Sequence, residues 1–346
     1  MQSGGELKRS TITDVANTAG VSIKTVSRVF NQEKYVREAM RMRVLDAAAS
    51  LDYVPHPSAR SLASRRSYNI GLILENPHEF SYLKRVVEGA YAACESTNYT
   101  LLVRPAEVSV SRDEITKFVR QSRVDGIVLP APMGDRTEIT DTLLDLGTPF
   151  AQLSPRHVRS DWISVRPNDE EATYQLARYV SSFGHERIGF IEGDPVHGAT
   201  ERRRSGFLRC VRDLALDADP NLIVSGMFDF ESGNASAREL LKLQEKPTAI
   251  IASNDDMAAG AIVALNQAGL KPVEDVSIVG FDDSPMATRT WPFLTTVRQP
   301  IFEMARVAAS LLIDSLAGNP PQETNLEFGC EIVDRDSLGR RIGAGN

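Results

Sequence analysis

The chain has 346 residues, 42% of them hydrophobic, and its 39 Lys and Arg against 46 Asp and Glu leave a net charge of −7. That length fills two or three cores of ordinary domain size, no apolar run approaches the ~20 residues of a membrane span, and the opening MQSGGELKRS lacks the apolar stretch of a signal peptide, so a cytoplasmic protein is expected. Cys94, Cys210 and Cys330 stand far apart without a CxxC, and the five histidines show no metal spacing with them; neither a disulfide nor a metal site is expected.

From Thr11 to Asn31 the sequence TITDVANTAGVSIKTVSRVFN reads as two short helices joined at Ala19 and Gly20. Ile12, Val15, Ala16 and Ala19 recur at helical spacing, as do Val26, Val29 and Phe30, so each helix has one apolar face to pack on the other. Gly20 suits a left-handed turn residue, and Ser22 is a natural N-cap for a second helix starting at Ile23. This is a helix-turn-helix pattern, and a recognition helix in the major groove would present Ile23, Lys24, Thr25, Ser27 and Arg28 to phosphates and base edges. Thr11, Ser22 and Asn31 complete the candidate DNA contacts of the head.

Charge supports this reading. Residues 1–68 hold eleven basic against six acidic side chains, a balance of +5, so the other 278 residues carry −12. A basic head on an acidic body suits a polyanion-binding module joined to a sensing or catalytic domain.

A third helix is expected over Arg37–Leu51, with Met40, Val44, Leu45, Ala48 and Leu51 as its apolar face, closing a head over residues 1–56. Pro55 and Pro57 end it, and the Ser-, Ala- and Arg-rich stretch 57–68 has linker composition. Within it Ala59, Arg60 and Leu62 are candidate DNA contacts of a hinge helix, Leu62 as a wedge between base pairs of the minor groove.

The body, 69–346, alternates β-branched apolar runs (Ile70–Leu74, Thr100–Val103, Gly126–Leu129, Arg187–Ile191, Thr248–Ala252, Val276–Phe281) with amphipathic stretches such as Tyr82–Ser96, Glu170–Phe183, Arg204–Leu214 and Asp255–Ala268. That pattern predicts βαβ units in two parallel sheets covered by helices. In open α/β sheets ligands sit beyond the carboxyl ends of the strands, where this chain carries Glu75 to Tyr82, Ser154, Asn254 with Asp255, and Asp282 with Asp283.

The helix-turn-helix, the third helix ending LDYVPHPSARSLASRRS, the strand NIGLIL, and the later segments DGIVL, FGHERIGFIEG, RRRSGF, AIIASNDDMAAGAI, VSIVGFDD and LTTVRQP together resemble the lactose-repressor (LacI/GalR) family of bacterial transcription regulators over essentially the whole chain. The resemblance implies an α/β fold: an all-α head plus two Rossmann-like parallel-sheet subdomains forming a periplasmic-binding-protein-like body. The subdomains would cover about 69–164 with 298–328 and about 165–297 with 329–346. It also implies a repressor whose affinity for double-stranded operator DNA is set by a small effector in the cleft, with Ser81, Tyr82, Ser154, Arg203, Phe228, Asn254, Asp282 and Gln299 as candidate contacts. Arginine, carboxylate and amide together suit the vicinal hydroxyls of a sugar; a nucleobase or a protein effector is the alternative.

The chain departs from the commoner family pattern at Ser154, Pro155, Arg156 and His157, where many relatives have an Asp-Arg pair, and at Arg37, where relatives often have a serine cap. Nothing after Arg340 resembles a leucine-heptad tail, so a homodimer is expected. A solute-binding protein would need a signal peptide and no head; an enzyme on this fold would need a phosphate loop or a nucleophile with its base, and no GxGxxG, GxxxxGK[ST] or GxSxG occurs. No enzyme activity, cofactor or membrane partner is expected.

Overall fold

The computed structural model describes residues 10–30, 35–53, 66–75, 81–107 and 109–341. The chain divides into two compact units, residues 1–68 and 69–346. Asn31, Ala59, Arg60 and Leu62 lie outside the described residues, as does the side chain of Ser81.

In the first unit, α1 (Ile12–Ala19), α2 (Ile23–Phe30) and α3 (Glu38–Ser50) pack around Val15, Ala16, Ala19, Val26, Val29, Val44, Ala47 and Ala48. Thr11 and Asp14 form a reciprocal capping box at the start of α1, and Gly20 ends it at φ 62°, a left-handed geometry that a Cβ would penalise. The hydroxyl of Ser22 accepts from the Thr25 amide at 3.1 Å, so α2 starts where expected. Two basic side chains are structural: Arg43 donates to the Ala19 carbonyl at 2.6 Å and Arg41 to that of Val29 at 3.5 Å, covering the negative ends of α1 and α2. The face of α3 differs from expectation. Leu45 is 41% exposed while Ala47 is buried, because a tight three-helix contact accepts small residues nearest the crossing.

The second unit holds two parallel sheets. The first, in order β11-β5-β4-β3-β1-β2, comprises β1 (Asn69–Glu75), β2 (Thr100–Ala106), β3 (Gly126–Pro130), β4 (Phe150–Leu153), β5 (Ile163–Pro167) and β11 (Asn325–Phe328). Between its strands run α4 (Ser81–Ser96), α5 (Arg112–Ser122) and α6 (Thr137–Asp145), while α11 (Ile301–Leu316) returns late in the chain to pack on α4. The second sheet, β7-β6-β8-β9, comprises β6 (Ile188–Ile191), β7 (Ile223–Val224), β8 (Ala249–Ala252) and β9 (Ser277–Val279), covered by α7 (Asp169–Ser181), α8 (Gly198–Asp213), α9 (Phe230–Leu241) and α10 (Asp255–Gln267). An antiparallel pair, β10 (Thr296–Arg298) and β12 (Glu331–Val333), flanks it. Central strands β3, β4, β6 and β8 are buried along their whole length, as strands covered on both faces must be.

The chain crosses between subdomains three times: between Pro167 and Asp169, between Arg298 and Ile301, and between Phe328 and Glu331. At the first crossing β5 stays in the first sheet through Pro167, paired with Phe328 of β11, so the chain changes subdomain directly after the strand. Helix α8 begins six residues before the expected Arg204. Gly206 lets it lie against α7, since a Cβ there would stand 2.1 Å from the Glu170 carbonyl.

Candidate functional site

The cleft of the second unit lies where strand carboxyl ends of both sheets meet. Its cavity measures about 260 Å³ and is lined by Glu75, Tyr82, Leu83, Ala131, Ser154 and Pro167 from the first subdomain and, from the second and the crossings, by Asp169, Asp194, His197, Ala199, Arg203, Met227, Phe228, Asp229, Asn254, Asp256, Asp282 and Gln299. The volume sits near the low end of small-molecule sites, which run from ~300 to ~1,000 Å³, and fits one or two rings.

Arg203 is the centre of this site. Only 5% exposed, it donates from Nε to Asp169 Oδ1 at 2.9 Å and from Nη1 to the Ser253 carbonyl, and its guanidinium lies 3.8 Å from the centre of the Phe281 ring. Its neighbours on α8 behave differently: Arg204 is half exposed and pairs with Glu192 at 2.8 Å, and Arg202 turns its Nε to Asp169 Oδ2 at 3.1 Å.

Opposite stands Asp282, just past β9, with Oδ1 3.9 Å from Arg203 Nη1 and accepting from the Gln299 amide. Burial lifts its pKa to about 7, against the lowering influence of Arg203 and Gln299. Its φ of 116° is sparsely populated for a side-chain-bearing residue, and its amide is tied to the Val297 carbonyl at 2.7 Å. Ser154 (φ 56°) and Phe228 (φ 63°) are also left-handed. Three such residues around one cavity match the clustering of backbone strain at functional sites.

The Phe228 ring forms a wall. Its carbonyl accepts from Asn254 Nδ2 at 2.7 Å, His197 meets the ring edge-on at 5.4 Å, and a Cβ on Gly193 would stand 1.9 Å from the ring. Asn254 caps α10, its Oδ1 accepting from the Met257 amide at 2.9 Å, so one amide hydrogen and one lone pair are left for a ligand. Across the cavity the Tyr82 hydroxyl lies 3.4 Å from Ser154 Oγ, and burial raises the phenol pKa to about 12. Burial also lowers the His197 pKa, which favours the neutral ring.

Among the candidate effector contacts, Tyr82, Ser154, Arg203, Phe228, Asn254, Asp282 and Gln299 all line the cavity, and Ser81 opens α4 beside it. Asp255 and Asp283 do not. Asp255 is fully buried and accepts from Thr296 Oγ1 at 2.6 Å and the Ser284 amide at 2.7 Å; Asp283 accepts from Arg298 at 2.7 Å and from Arg335. Sequence reasoning missed Asp169, Asp194, Asp229 and Asp256, four of the six carboxyl side chains that line the cavity among the described residues. Asp169 lies two residues past the end of β5, so the strand-end rule could have found it.

On the head, Ile23 (48%), Lys24 and Arg28 are exposed on α2, while Thr25 and Ser27 are half-buried. The Thr25 hydroxyl pairs with that of Ser22 at 2.9 Å, and the Thr11 hydroxyl donates to Asp14 at 2.7 Å. Both therefore serve helix starts.

Residues 11–56 match the family model described as bacterial regulatory proteins, lacI family, and residues 177–338 that of a periplasmic binding protein-like domain. The HTH-type transcriptional repressor PurR of Proteus mirabilis (strain HI4320) is 32% identical over 336 residues, spanning 95% of this chain and 97% of that protein. Among solved structures, the transcriptional regulator CelR-cellobiose complex is similar at 27% identity and TM-score 0.74, covering 95% of this chain and all of the other. The lac repressor dimer bound to operator and the anti-inducer ONPF is similar at 25% identity and TM-score 0.77, covering 96% of this chain and all of the other.

Proposed function

Because this chain belongs to the lacI family of bacterial regulatory proteins and is a DNA-binding transcriptional repressor with an effector-binding body, we propose that its effector is a small hydroxyl-rich molecule, a mono- or disaccharide, held between the two subdomains. The observation that carries this is the Arg203 and Asp282 pair, 3.9 Å apart and flanked by the amides of Gln299 and Asn254. A hydroxyl placed beside the pair donates to the carboxylate and accepts from the guanidinium. Phe228 and Tyr82 supply apolar surface for the C–H faces of a sugar ring.

Charge narrows the class. Among the described residues the cavity lining carries six carboxyl side chains, with Arg203 as its one arginine or lysine, so a phosphate or carboxylate on the ligand meets net repulsion. That the similar CelR structure contains cellobiose supports a carbohydrate.

The head, through Ile23, Lys24 and Arg28, reads operator half-sites, and a homodimer presents two of them, as the lac repressor dimer on operator supports. An effector that prefers one subdomain arrangement shifts operator affinity by its differential affinity for the two states, and the linkage is reciprocal.

A thermal-shift screen of the purified protein against sugars, sugar phosphates and nucleobases tests the reading. A ligand at 100 times its Kd stabilises by ~2.7 kcal/mol. A neutral sugar is the expected hit, lost in Arg203→Ala and Asp282→Ala. A shift from a nucleobase alone leaves the DNA-binding function standing and removes the carbohydrate.

A further inference from the structure

Arg202 and Arg203 are consecutive on α8, so their side chains leave the helix about 100° apart, yet both grip one carboxylate. Asp169, with no exposed side-chain surface, accepts from Arg202 Nε at Oδ2 (3.1 Å) and from Arg203 Nε at Oδ1 (2.9 Å). Beyond that shared anion they diverge: Arg203 turns to the cavity and Asp282, and Arg202 reaches across to the first subdomain, where Nη1 donates to the Pro155 carbonyl at 3.1 Å.

Around Arg202 the loop after β4 and the start of α8 add further contacts between the subdomains beside the first crossing. Arg156 Nε lies 3.5 Å from Glu201 Oε2, and Arg156 Cα would stand 2.4 Å from a Cβ on Gly198, so loop and helix touch backbone to backbone. One oxygen of Asp135, in the turn after β3, accepts from the Arg156 amide at 2.6 Å. Its other oxygen, Oδ2, and Arg202 Nη2 are both buried without a hydrogen-bond partner among the described residues. A buried acceptor and a buried donor of opposite charge are thus left unmet on the two sides of this rim, an arrangement that is costly as it stands. Closure that brings them together satisfies both, and opening hydrates both.

Resting on the effector reading above, we infer that Arg202 is the positioning residue that couples the effector site to the angle between the subdomains. Through Asp169 it holds Arg203 in place, and through Pro155 it ties that assembly to the loop carrying Ser154, whose hydroxyl meets Tyr82 on the far wall of the same cavity. A ligand that draws on Arg203 or Asp169 alters the grip on Arg202, and the rim opens or closes with it.

The test needs no ligand, so it stands or falls separately from the identity of the effector. Spin labels on Leu144→Cys in α6 and Arg212→Cys in α8, both exposed positions in opposite subdomains, report the inter-subdomain distance in the full-length protein. Cys94 and Cys210 are buried, and burial raises the Cys330 thiol to about 12, which keeps it slow to label. Arg202→Met is expected to add a second, longer distance, Arg202→Lys to restore part of the original population, and Arg204→Met on the solvent side of α8 to leave it unchanged. A folded Arg202→Met whose distance distribution superimposes on the parent's overturns the inference. If Arg202→Met does not fold, Arg202→Gln, which is too short to hold both Asp169 and the Pro155 carbonyl, takes its place: an added longer distance supports the coupling and an unchanged distribution overturns it.

Discussion

Asp282 faces Arg203 at 3.9 Å across the cavity, a separation too long for a hydrogen-bonded ion pair, and its burial dominates the attraction. The arginine is engaged by Asp169 and the Ser253 carbonyl, so Asp282 is only partly compensated. Its pKa of about 7 leaves it an acid that is partly protonated at neutral pH.

The contribution of the two buried acids Asp282 and Asp255 to stability should therefore fall as pH rises. Burial raises the pKa of Asp282, and burial together with Asp282 raises that of Asp255. Below the ordinary carboxylate pKa of ~4 both groups are protonated folded and unfolded, and their contribution is fully present. As pH climbs towards the folded value of about 7 for Asp282, the unfolded chain releases protons that the native state retains, and the contribution is lost. Melting temperatures across this range should show a shallower decline for Asp282→Asn than for the parent; identical slopes contradict the assignment.

Gly193→Ala removes no polar group from the cleft, but its methyl group would meet the Phe228 ring at 1.9 Å. The ring must leave its place in the wall. We expect the variant to remain folded and to lose most of the ligand-induced thermal shift; a full shift means that Phe228 does not touch the ligand.

Ser22 caps α2 through the Thr25 amide. Ser22→Ala should destabilise that helix by about 1 kcal/mol, read as faster hydrogen exchange of the amides of residues 26–30 in the full-length protein, with exchange in the body unchanged. Unchanged exchange in α2 would mean that packing alone fixes its start.

Much of this architecture was legible in sequence because it is local. Helical spacing marked Val15, Ala16, Val26 and Val29, and the left-handed turn needed Gly20; both follow from a few adjacent residues. The alternation of apolar runs with amphipathic stretches marked the sheets for the same reason. What escaped was set by tertiary contact. The start of α8 lies outside the amphipathic stretch beginning at Arg204, since Arg203 is tolerated in a buried place there only because Asp169 arrives from α7. Asp169 and Asp256 lie in helix first turns and Asp229 is a helix N-cap, places where acids are common in any helix, and only tertiary structure gathers them around one cavity. Leu45 has the right spacing for the core and yet faces outward, because the crossing selected Ala47.

On the head, Lys24 and Arg28 are exposed on α2. Lys24→Ala and Arg28→Ala should each weaken binding to a duplex selected by the protein from random DNA. If each side chain meets one phosphate, each loss should lower the slope of log affinity against log salt by about 0.9. An unchanged slope in both variants places the phosphate contacts elsewhere; a loss of sequence preference with an unchanged slope in one of them assigns it to a base edge.

The most direct measurement is fluorescence anisotropy of that selected duplex titrated with the protein, with and without the sugar found in the screen, for the parent and for Arg203→Ala. The cleft reading predicts that the sugar shifts the operator Kd of the parent by roughly 5- to 150-fold, the usual span of coupling energies, and leaves the variant's Kd unmoved. An equal shift in both proteins would contradict it, since the controlling ligand would then bind somewhere other than beside Arg203.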